Sequence, residues 1–560
     1  MNGKAWWIAA ALLLAAMGVA MVTAALGENQ TWDEGVHLVS GYTDLVLGAH
    51  RLNREHPPLA KYLAALPLLA LDLRLPLEHE SWRKGDAVLF GAVFLYRNEA
   101  PPDTMLLLAR LPMIGLALLL GAVLALWAKR RFGPVAGLAA LFFYTTDPNF
   151  IAHGHYVASD VAAAFTVFLA VAAWERWLER RGRGALALAG LAVGLALTAK
   201  FSTLFLLGLL PALSLAYWKR RPERFSWRSF AGTHLAAAAL ALVTLAAAYG
   251  PATWRTIVRG EAAPLAVYAR QQNLVSRTLR WAGETMHLPA HPYLLGLNIV
   301  AAHIERGHPA YLLGEVSKEG RWLYFPVAFA VKTPTALLLL LGAGVWLGLS
   351  WLRARRRDAV PFAWFALLIP PLAYFALAMA GNLNLGLRHI LPVYPFLYAA
   401  AGAAFAKLAR GRAWVLAALL LGLQVAETTR IHPHHLAFFN TVSGGPAAGP
   451  RYLADSNIDW GQAVKHLAAW KRARGLDDLV VSYFGVTDLN YYLGKHRVLE
   501  EVCADCRIGE IDSVVAVSVT NLLGVYRDSP ALAWLRKRRP DARIDWAIYV
   551  YDLRKDRGGE

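Results

Sequence analysis

Long apolar runs recur through the first 430 residues of this 560-residue chain, and they limit how it can fold. A helix that crosses a bilayer needs about 20 consecutive apolar residues. The composition agrees, because only 17% of the residues are charged, against about 25% in a typical soluble protein. We therefore predict an α-helical polytopic membrane protein with about eleven transmembrane helices. The predicted spans are residues 5–27, 104–128, 134–150, 159–177, 184–199, 201–217, 231–250, 323–350, 359–380, 389–406 and 413–430.

The net charge of +18 would be compatible with nucleic-acid binding, but the distribution of the charge argues against it. Arg and Lys are concentrated in short clusters between apolar runs, which is the pattern of cytoplasmic loops. The clusters lie at residues 129–131, 176–183, 219–228, 353–357 and 407–412. All of them fall on one side of the membrane. We therefore expect the inner (plasma) membrane as the location, a cytoplasmic N-terminus and no nucleic-acid partner.

An odd number of crossings then puts everything after residue 430 outside the cytoplasm. Residues 1–430 are predicted to form a transmembrane domain with two long external loops, 28–103 and 251–322. Residues 431–560 contain no apolar run long enough to span a membrane. Strand-like runs alternate there with helix-like stretches, which is typical of a small α/β domain in the periplasm. The strand-like runs are residues 479–484, 514–519 and 546–551.

The only two cysteines, Cys503 and Cys506, form a C-x-x-C motif in this last region. A structural zinc site usually takes four ligands, so the motif alone is weak evidence for a metal. A disulfide is chemically permitted in an exported segment. The sequence leaves both a disulfide and two free thiols open.

Acidic residues stand at the predicted outer membrane face. Asp33 and Glu34 follow the first span directly, and Asp160 opens the fourth. Such carboxylates can be solvated charges, or they can favour a helix N-terminus electrostatically. They can also act as a catalytic base or bind a metal beside a lipid-borne substrate.

Basic residues are predicted at the same face. Lys200 separates the fifth and sixth spans, Arg388 and His389 precede the tenth, and Lys332 lies just inside the eighth. Arg binds phosphate as a bidentate fork and Lys binds it as a point charge. The alternative is that each cation extends to lipid head groups. Cations and carboxylates on one face predict a site for a phosphate-bearing substrate.

Several short motifs occur in order along the chain. They are Trp32-Asp33-Glu34-Gly35, His56-Pro57-Pro58-Leu59, Asp160, Val331-Lys332-Thr333-Pro334, Arg388-His389-Ile390-Leu391-Pro392-Val393-Tyr394-Pro395, Phe439-Asn440, Ser443-Gly444-Gly445-Pro446 and Asp455-Ser456-Asn457-Ile458-Asp459-Trp460-Gly461-Gln462. In this order they resemble the glycosyltransferase-C superfamily. The most similar branch is the bacterial protein O-mannosyltransferase-like family, glycosyltransferase family 39, with the related aminoarabinose transferase.

The resemblance implies a GT-C fold and transfer of a sugar from a polyprenyl-phosphate donor to an acceptor outside the cytoplasm. Asp33 would be the general base on the acceptor hydroxyl or a ligand of a divalent metal ion. Glu34 would complete the acidic pair. Asp160 matches the second acidic position of the family and would share the metal.

The resemblance also assigns the other polar residues of the site. Lys200 and Arg388 would hold the phosphate of the donor, and we add His389 and Lys332 to this phosphate-binding group. His56 and Tyr156 are candidates for contact with the substrate. No nucleotide cofactor is expected, since the chain has no P-loop and no G-x-G-x-x-G motif after a strand.

The acceptor stays open, because no large inserted domain lies between the middle spans. A protein hydroxyl, a lipid and a glycan are all compatible with the sequence. The alternative from another class is a flippase or transporter of polyprenyl lipids or glycolipids. Transporters commonly show internal repeats and charge at the membrane midplane. Here we find no repeat, and the ionisable residues cluster at one face, which favours the transferase.

Overall fold

The computed structural model describes residues 3–224, 226–259, 277–278, 281, 290–354, 361–410, 413–503 and 511–554. Several sequence predictions extend outside these residues: the second external loop, the basic clusters at 219–228, 353–357 and 407–412, the start of the span at 359–380 and parts of the domain at 431–560. Cys506 lies wholly outside them. Cys503 itself is buried and disulfide-bonded.

All eleven predicted spans fall on apolar helices. In the described part of the chain, eight helices are long and apolar enough to cross a membrane, and a bent pair would make a ninth. The eight are Gly3–Gly27, Pro102–Phe132, Ser159–Arg180, Phe201–Trp218, Trp227–Ala248, Phe362–Met379, Leu387–Leu408 and Trp414–Ile431. The bent pair is Tyr324–Lys332 and Thr335–Ser350, with an angle of 111° at the break. The other two predicted spans correspond to the shorter apolar helices Pro134–Thr145 and Arg183–Ala199.

Helix Ser159–Arg180 lies at the centre of the bundle. Its apolar core is 83% buried, whereas those of Gly3–Gly27 and Trp227–Ala248 are 28% and 22% buried. Small residues allow close helix contacts, as is common in membrane bundles. A side chain at Gly402 would place its Cβ atom 2.4 Å from the carbonyl oxygen of Ala136. Because most of their apolar residues are not buried inside the protein, helices Gly3–Gly27 and Trp227–Ala248 are the ones that present apolar surface to lipid.

The predicted break at Lys200 is confirmed. Helix Arg183–Ala199 ends there, Lys200 is extended, with φ −160° and ψ 144°, and a 3-10 turn begins at Phe201. Two helices thus meet at this lysine, as the charge pattern required. The amine emerges at a helix junction and is not buried in the middle of one long helix.

The first external loop is ordered and largely helical. Its helices are Glu34–Leu47, Pro58–Ala65, Glu80–Lys84 and Ala87–Tyr96, with a 3-10 turn at Leu66–Ala70. The first two cross closely at Gly41, where an added Cβ would lie 2.1 Å from the carbonyl oxygen of Lys61. Other short helices outside the spans are Pro148–His155, Gly250–Val258 and His291–Arg306. Strands β1 (Ala310–Leu312) and β2 (Glu315–Ser317) form an antiparallel pair.

The C-terminal region contains a five-stranded mixed sheet in the order β4-β3-β5-β7-β6. Its strands are β3 (Val480–Ser482), β4 (Arg497–Val498), β5 (Val514–Ser518), β6 (Ala542–Ile544) and β7 (Ile548–Asp552). Strand β3 pairs in parallel with β4 and β5, and β7 pairs antiparallel with β5 and β6. The helices of this region are Val464–Ala473, Leu489–Leu493, Leu499–Val502, Val519–Leu522 and Pro530–Arg536. The predicted mixture of strands and helices is confirmed, and the three strand-like runs correspond to β3, β5 and β7.

Candidate active site

A cavity of about 770 Å³ lies where the first external loop, the membrane helices and the C-terminal region meet. The loop contributes Trp32, Asp33 and His56, and the membrane helices contribute Lys200, Arg388 and His389. Helix His291–Arg306 adds an apolar wall. The C-terminal region closes the cavity with Asp455, Trp460, Phe484, Asn521 and Tyr526, among others. The cavity therefore joins three parts of the chain that are distant in sequence.

Two carboxylates and two cations form one network at this cavity. The Arg388 Nη1 atom lies 2.9 Å from Asp33 Oδ2 and 3.6 Å from Asp160 Oδ2. The Lys200 Nζ atom donates to Asp160 Oδ1 at 2.5 Å. The side chain of Asp33 is 24% exposed and that of Asp160 only 2%. Asp33 is thus the carboxylate that a substrate can reach, and Asp160 orients both cations.

The position of Asp33 depends on contacts made by the residues before it. The Asn29 side chain donates to the carbonyl oxygen of Gly461 at 2.6 Å and accepts from the backbone N–H of Val464 at 2.7 Å. The Trp32 N–H donates to the carbonyl oxygen of Trp460 at 2.9 Å. Asp33 is the residue before helix Glu34–Leu47, but its carboxylate does not cap that helix. The carboxylate therefore remains available to Arg388.

Two contacts determine the position of Arg388, one made by the backbone beside it and one made by its own side chain. It lies in the 3-10 turn Leu387–Val393, and the N–H of Leu387 donates to Asn457 Oδ1 at 3.0 Å. Its guanidinium lies 4.2 Å from the centre of the Trp460 ring. An arginine over an indole face gains a cation–π contact and loses side-chain freedom. The guanidinium is therefore held in place before any substrate binds.

Glu34 does not line the cavity, although it follows Asp33 in sequence. Its carboxylate accepts from Arg110 Nε at 2.8 Å and from Nη2 at 2.6 Å, and both side chains are at most 1% exposed. The backbone N–H groups of Thr31 and Val157 also donate to it. Burial by itself raises the pKa of Glu34, but Arg110 and these donors outweigh the burial and lower it. The predicted acidic pair is therefore divided, with Asp33 at the cavity and Glu34 in a structural ion pair.

Lys332 and Tyr156 also lie outside the cavity wall. Lys332 Nζ donates to the carbonyl oxygens of Leu436 at 2.8 Å and Asn457 at 2.6 Å, so its donors serve the segment after the last span. Tyr156 is fully buried, with its ring centre 5.7 Å from that of Trp460. It supports the Trp460 ring from behind. Neither residue is placed for the contact with donor or substrate that was predicted for it.

His56 and His389, two of the predicted site residues, line the cavity. The His56 ring lies 4.7 Å from that of His37, and its Nδ1 atom lies 3.4 Å from Ser159 Oγ. Burial, together with the nearby His37 and Lys200, keeps the pKa of His56 well below its ordinary value. Burial also lowers the pKa of His37 to about 4. Both imidazoles are therefore neutral at physiological pH, and that of His56, on the cavity wall, can donate or accept a hydrogen bond without adding positive charge.

Sequence reasoning missed the part of the wall that comes from the C-terminal region. Phe484 is stacked between Trp32 and Tyr526, with ring centres 5.1 Å and 5.2 Å away. The Tyr526 hydroxyl donates to the carboxylate of Asp455. Burial raises the pKa of Asp455. The motif from Asp455 to Gln462 is the one signal in the sequence that points to this wall.

Asp459 lies in the same motif but is only 1% exposed. Its carboxylate accepts from the backbone N–H groups of Gly461 and Thr520, each at 3.2 Å. It is not part of the cavity wall. Asp455 and Asp459 are four residues apart but have different roles.

A divalent metal bound by Asp33 and Asp160 fits this geometry poorly. The guanidinium of Arg388 already lies between the two carboxylates and neutralises them together with Lys200. Among the described residues, no third His, Cys, Asp or Glu completes a group of metal-ligand atoms there. A metal ion at this position would have to displace Arg388.

Comparison with known proteins gives one family match. Residues 105–249 match the family described as dolichyl-phosphate-mannose-protein mannosyltransferase, a segment that contains Asp160 and Lys200. A comparison with curated protein sequences found no match.

Several solved structures are similar to the chain. ArnT from Cupriavidus metallidurans bound to undecaprenyl phosphate is 16% identical, with a TM-score of 0.49 and 98% of each chain covered. The apo state of the same protein is 15% identical, with the same TM-score and coverage. The oligosaccharyltransferase of Archaeoglobus fulgidus in its apo form is 12% identical, with a TM-score of 0.43, and 94% of this chain and 72% of that chain are covered. The match over residues 105–249 supports the resemblance found in the sequence and indicates a glycosyltransferase that is similar in this segment to the dolichyl-phosphate-mannose-protein mannosyltransferases.

Proposed function

We propose that this protein transfers a sugar from a polyprenyl-phosphate donor to a hydroxyl group of an acceptor outside the cytoplasm, with Asp33 as the general base. One observation carries the proposal. Asp33 and two phosphate-binding cations, Arg388 and Lys200, meet at one cavity between membrane helices and an external region. ArnT, one of the similar solved structures, was determined with undecaprenyl phosphate bound, which supports this class of donor.

The donor phosphate binds Arg388 and Lys200. Both cations are paired with carboxylates in the free protein, so binding exchanges the contact of Arg388 with Asp33 for a contact with phosphate. The carboxylate of Asp33 is then released next to the bound sugar. Binding of the donor thereby activates the base.

The acceptor hydroxyl oxygen attacks the anomeric carbon, and the bond from that carbon to the phosphate oxygen breaks. Asp33 takes the proton of the hydroxyl, and the electron pair of the broken bond leaves with the lipid phosphate. Negative charge grows on the phosphate during this step. Preorganised cations in a site of low dielectric stabilise such charge more than water does. A single displacement of this kind would invert the configuration of the sugar.

The apolar part of the cavity is suited to the lipid chain of the donor. Leu297, Val300 and Ile304 of helix His291–Arg306 lie on the same cavity as Lys200 and Arg388. A polyprenyl chain that enters from the bilayer would pass these side chains, while its phosphate reaches the cations. His56 and His389 are then suited to contact the sugar.

We further propose the orientation predicted from the sequence, with the N-terminus in the cytoplasm of a cell with an inner (plasma) membrane. At one end of the bundle, Lys129 Nζ lies 3.7 Å from the centre of the Trp6 ring, near the start of the first helix. At that end Arg131 also pairs with Glu179 at 2.6 Å. The site residues lie at the other ends of these helices. The basic end would face the cytoplasm, and the domain at residues 431–560 would be periplasmic.

A transfer assay tests the proposal. The protein is purified in detergent and incubated with a radiolabelled polyprenyl-phosphate sugar and crude cell-envelope acceptor. Wild type and the Asp86→Asn control are expected to label an acceptor, and Asp33→Asn is not. Asp86 lies in the same external loop and caps a helix through Val88 and Leu89, a role that Asn performs equally well.

Each outcome of this assay has a clear meaning. Loss of transfer in Asp33→Asn alone supports the base, and the labelled product shows whether the acceptor is a protein, a lipid or a glycan. Unchanged transfer in folded Asp33→Asn would overturn the assignment of the base. Translocation of the labelled lipid across a reconstituted bilayer without any transfer would favour the flippase.

A further inference from the structure

A second cluster of polar side chains lies away from the cavity. The Nδ1 atom of His434 is 3.1 Å from Asp545 Oδ1, and the Nδ1 atom of His466 contacts Asp545 Oδ2. All three ligand atoms lie within 4.8 Å of one another. In the described ranges this is the one group of three or more His, Cys, Asp or Glu side chains so arranged. None of the three residues lines the cavity.

The three residues come from separate parts of the chain. His434 follows helix Trp414–Ile431, the last predicted span. His466 lies in helix Val464–Ala473, and Asp545 lies in the turn between β6 and β7. The cluster therefore joins the exit of the membrane bundle to two elements of the C-terminal region.

The turn that carries Asp545 has an unusual backbone. Asp545 and Trp546 have φ values of 54° and 62°, and the N–H of Ala547 donates to the carbonyl oxygen of Ile544 at 3.0 Å. Two consecutive left-handed residues at the centre of such a turn are usually Asn-Gly, Asp-Gly or Gly-Gly, so Asp is ordinary at the first position and Trp546 is the strained residue. The carboxylate of Asp545 contacts both histidines.

The ring of His466 is held from its other side. A Cβ atom added at Gly27 would lie 3.1 Å from both Cε1 and Nε2 of His466, tighter than an ordinary contact. The Nε2 edge thus lies against the end of the first helix, Gly3–Gly27, and the Nδ1 edge faces Asp545. The glycine permits this orientation, in which Nδ1 is the atom available as a ligand.

We propose that His434, His466 and Asp545 bind a divalent transition metal ion, with Zn²⁺ as the best fit. Two imidazole nitrogens and one carboxylate oxygen are the ligands that Zn²⁺ takes in its three-ligand sites, where solvent fills the fourth position. Bond lengths of about 2.0–2.1 Å at a tetrahedral ion place ligand atoms about 3.3 Å apart, close to the 3.1 Å between His434 and Asp545. The side chains of His434 and His466 are 29% and 30% exposed, so an ion can enter from solvent.

The bound ion would act as a clamp between the membrane bundle and the C-terminal region. Helix Val464–Ala473 begins at Val464, whose N–H donates to Asn29, four residues before Asp33. The clamp therefore stabilises the docking that positions the loop of the active site. It takes no part in the transfer reaction, because none of its ligands reaches the cavity.

Zinc binding by the full-length protein, with any affinity tag removed, tests the proposal. The protein is stripped with a chelator, loaded with one equivalent of Zn²⁺, passed over a desalting column and analysed for metal by mass spectrometry. Wild type is expected to retain about one zinc per chain, and His466→Ala and Asp545→Asn are expected to retain none above background. The control His496→Ala, on the same domain, has a ring that contacts the backbone carbonyl of Gly494 and is expected to match wild type.

Thermal unfolding gives a second readout that does not depend on activity. Removal of zinc should lower the unfolding midpoint of wild type and of the control but leave that of Asp545→Asn unchanged, since ligands that bind only the folded state stabilise it. Failure of monodisperse wild type to retain zinc would overturn the proposal and leave the cluster as a pair of His–Asp hydrogen bonds. Equal retention by wild type and Asp545→Asn would overturn it as well. The measurement on wild type alone can overturn the proposal, so the test does not depend on whether the variants fold.

Discussion

Arg388 and Asp33 are 355 positions apart in the sequence, yet the Arg388 Nη1 atom lies 2.9 Å from Asp33 Oδ2. The same guanidinium nitrogen is 3.6 Å from Asp160, which in turn holds Lys200 at 2.5 Å. The two carboxylates and two cations of the free site thus nearly balance in charge, and Arg388 is paired with Asp33. In the mechanism that we propose, a phosphate that binds the cations would release the carboxylate of Asp33.

Replacement of Asp33 by Asn should remove the proton acceptor and leave the cations intact. Transfer should fall by about 10²–10⁴-fold, the usual contribution of a general base. The donor should bind at least as tightly as in wild type, because Arg388 no longer has to leave a carboxylate. Initial rates and equilibrium binding of a labelled donor would measure the two effects separately. A rise in KM for the donor with unchanged kcat would contradict this role.

Replacement of Arg388 by Lys tests the phosphate contact. Lys keeps the charge but loses the bidentate fork and the flat contact with Trp460. A charged hydrogen bond contributes about 1.5–3 kcal/mol, so donor binding should weaken by about tenfold to a hundredfold. Arg74→Lys is the matched control, since Arg74 is exposed and outside the cavity. Equal donor affinity in Arg388→Lys and wild type would exclude direct phosphate binding by Arg388.

Glu34→Gln should act on stability, in contrast to Asp33→Asn. Gln leaves the guanidinium of Arg110 buried without a charged partner, and breaking a buried ion pair costs about 3–5 kcal/mol. The thermal midpoint in detergent should fall clearly, and the double variant with Arg110→Met should recover part of the loss. A variant of normal stability that transfers no sugar would return Glu34 to the catalytic group.

The stability of the C-terminal region should depend on pH through Asp459. Burial raises the pKa of this carboxyl from 3.8 to about 7 in the folded protein. The folded state then binds more protons than the unfolded state between these values, so stability is greatest at low pH and falls as pH rises toward 7. Thermal midpoints measured from about pH 5 to about pH 8 should show this fall in wild type. Asp459→Asn should flatten the profile, and the control Asp488→Asn, which keeps the helix cap of the same domain, should not.

Phe484 should help to position the loop that carries Asp33. It stacks on Trp32 on one face and on Tyr526 on the other, and each aromatic pair contributes about 0.5–1.5 kcal/mol beyond burial. Phe484→Leu should lower kcat and the thermal midpoint together, while Phe484→Tyr should retain most of both. Normal kcat in Phe484→Leu would mean that the loop does not depend on this stack.

Several features of the protein could be predicted from the sequence because they depend on local patterns. All eleven apolar runs are helical, and the break at Lys200 was required by the charges on either side of it. The runs that became β3, β5 and β7 had the composition of strands. Asp33, Lys200 and Arg388 could be placed at one face of the membrane from the order of the spans alone, because successive spans cross a membrane in alternating directions.

Only the tertiary structure decided which polar side chains act together. Asp33 and Glu34 are neighbours in sequence, but their side chains leave the backbone in different directions, one to the cavity and one to Arg110. Lys332 lies on the expected face, yet two backbone carbonyls take up its donors. The wall formed by Phe484 and Tyr526 exists only because the C-terminal region docks against the first loop. A linear pattern determines depth and sidedness in a membrane, whereas contacts between distant segments depend on how helices and loops pack in three dimensions.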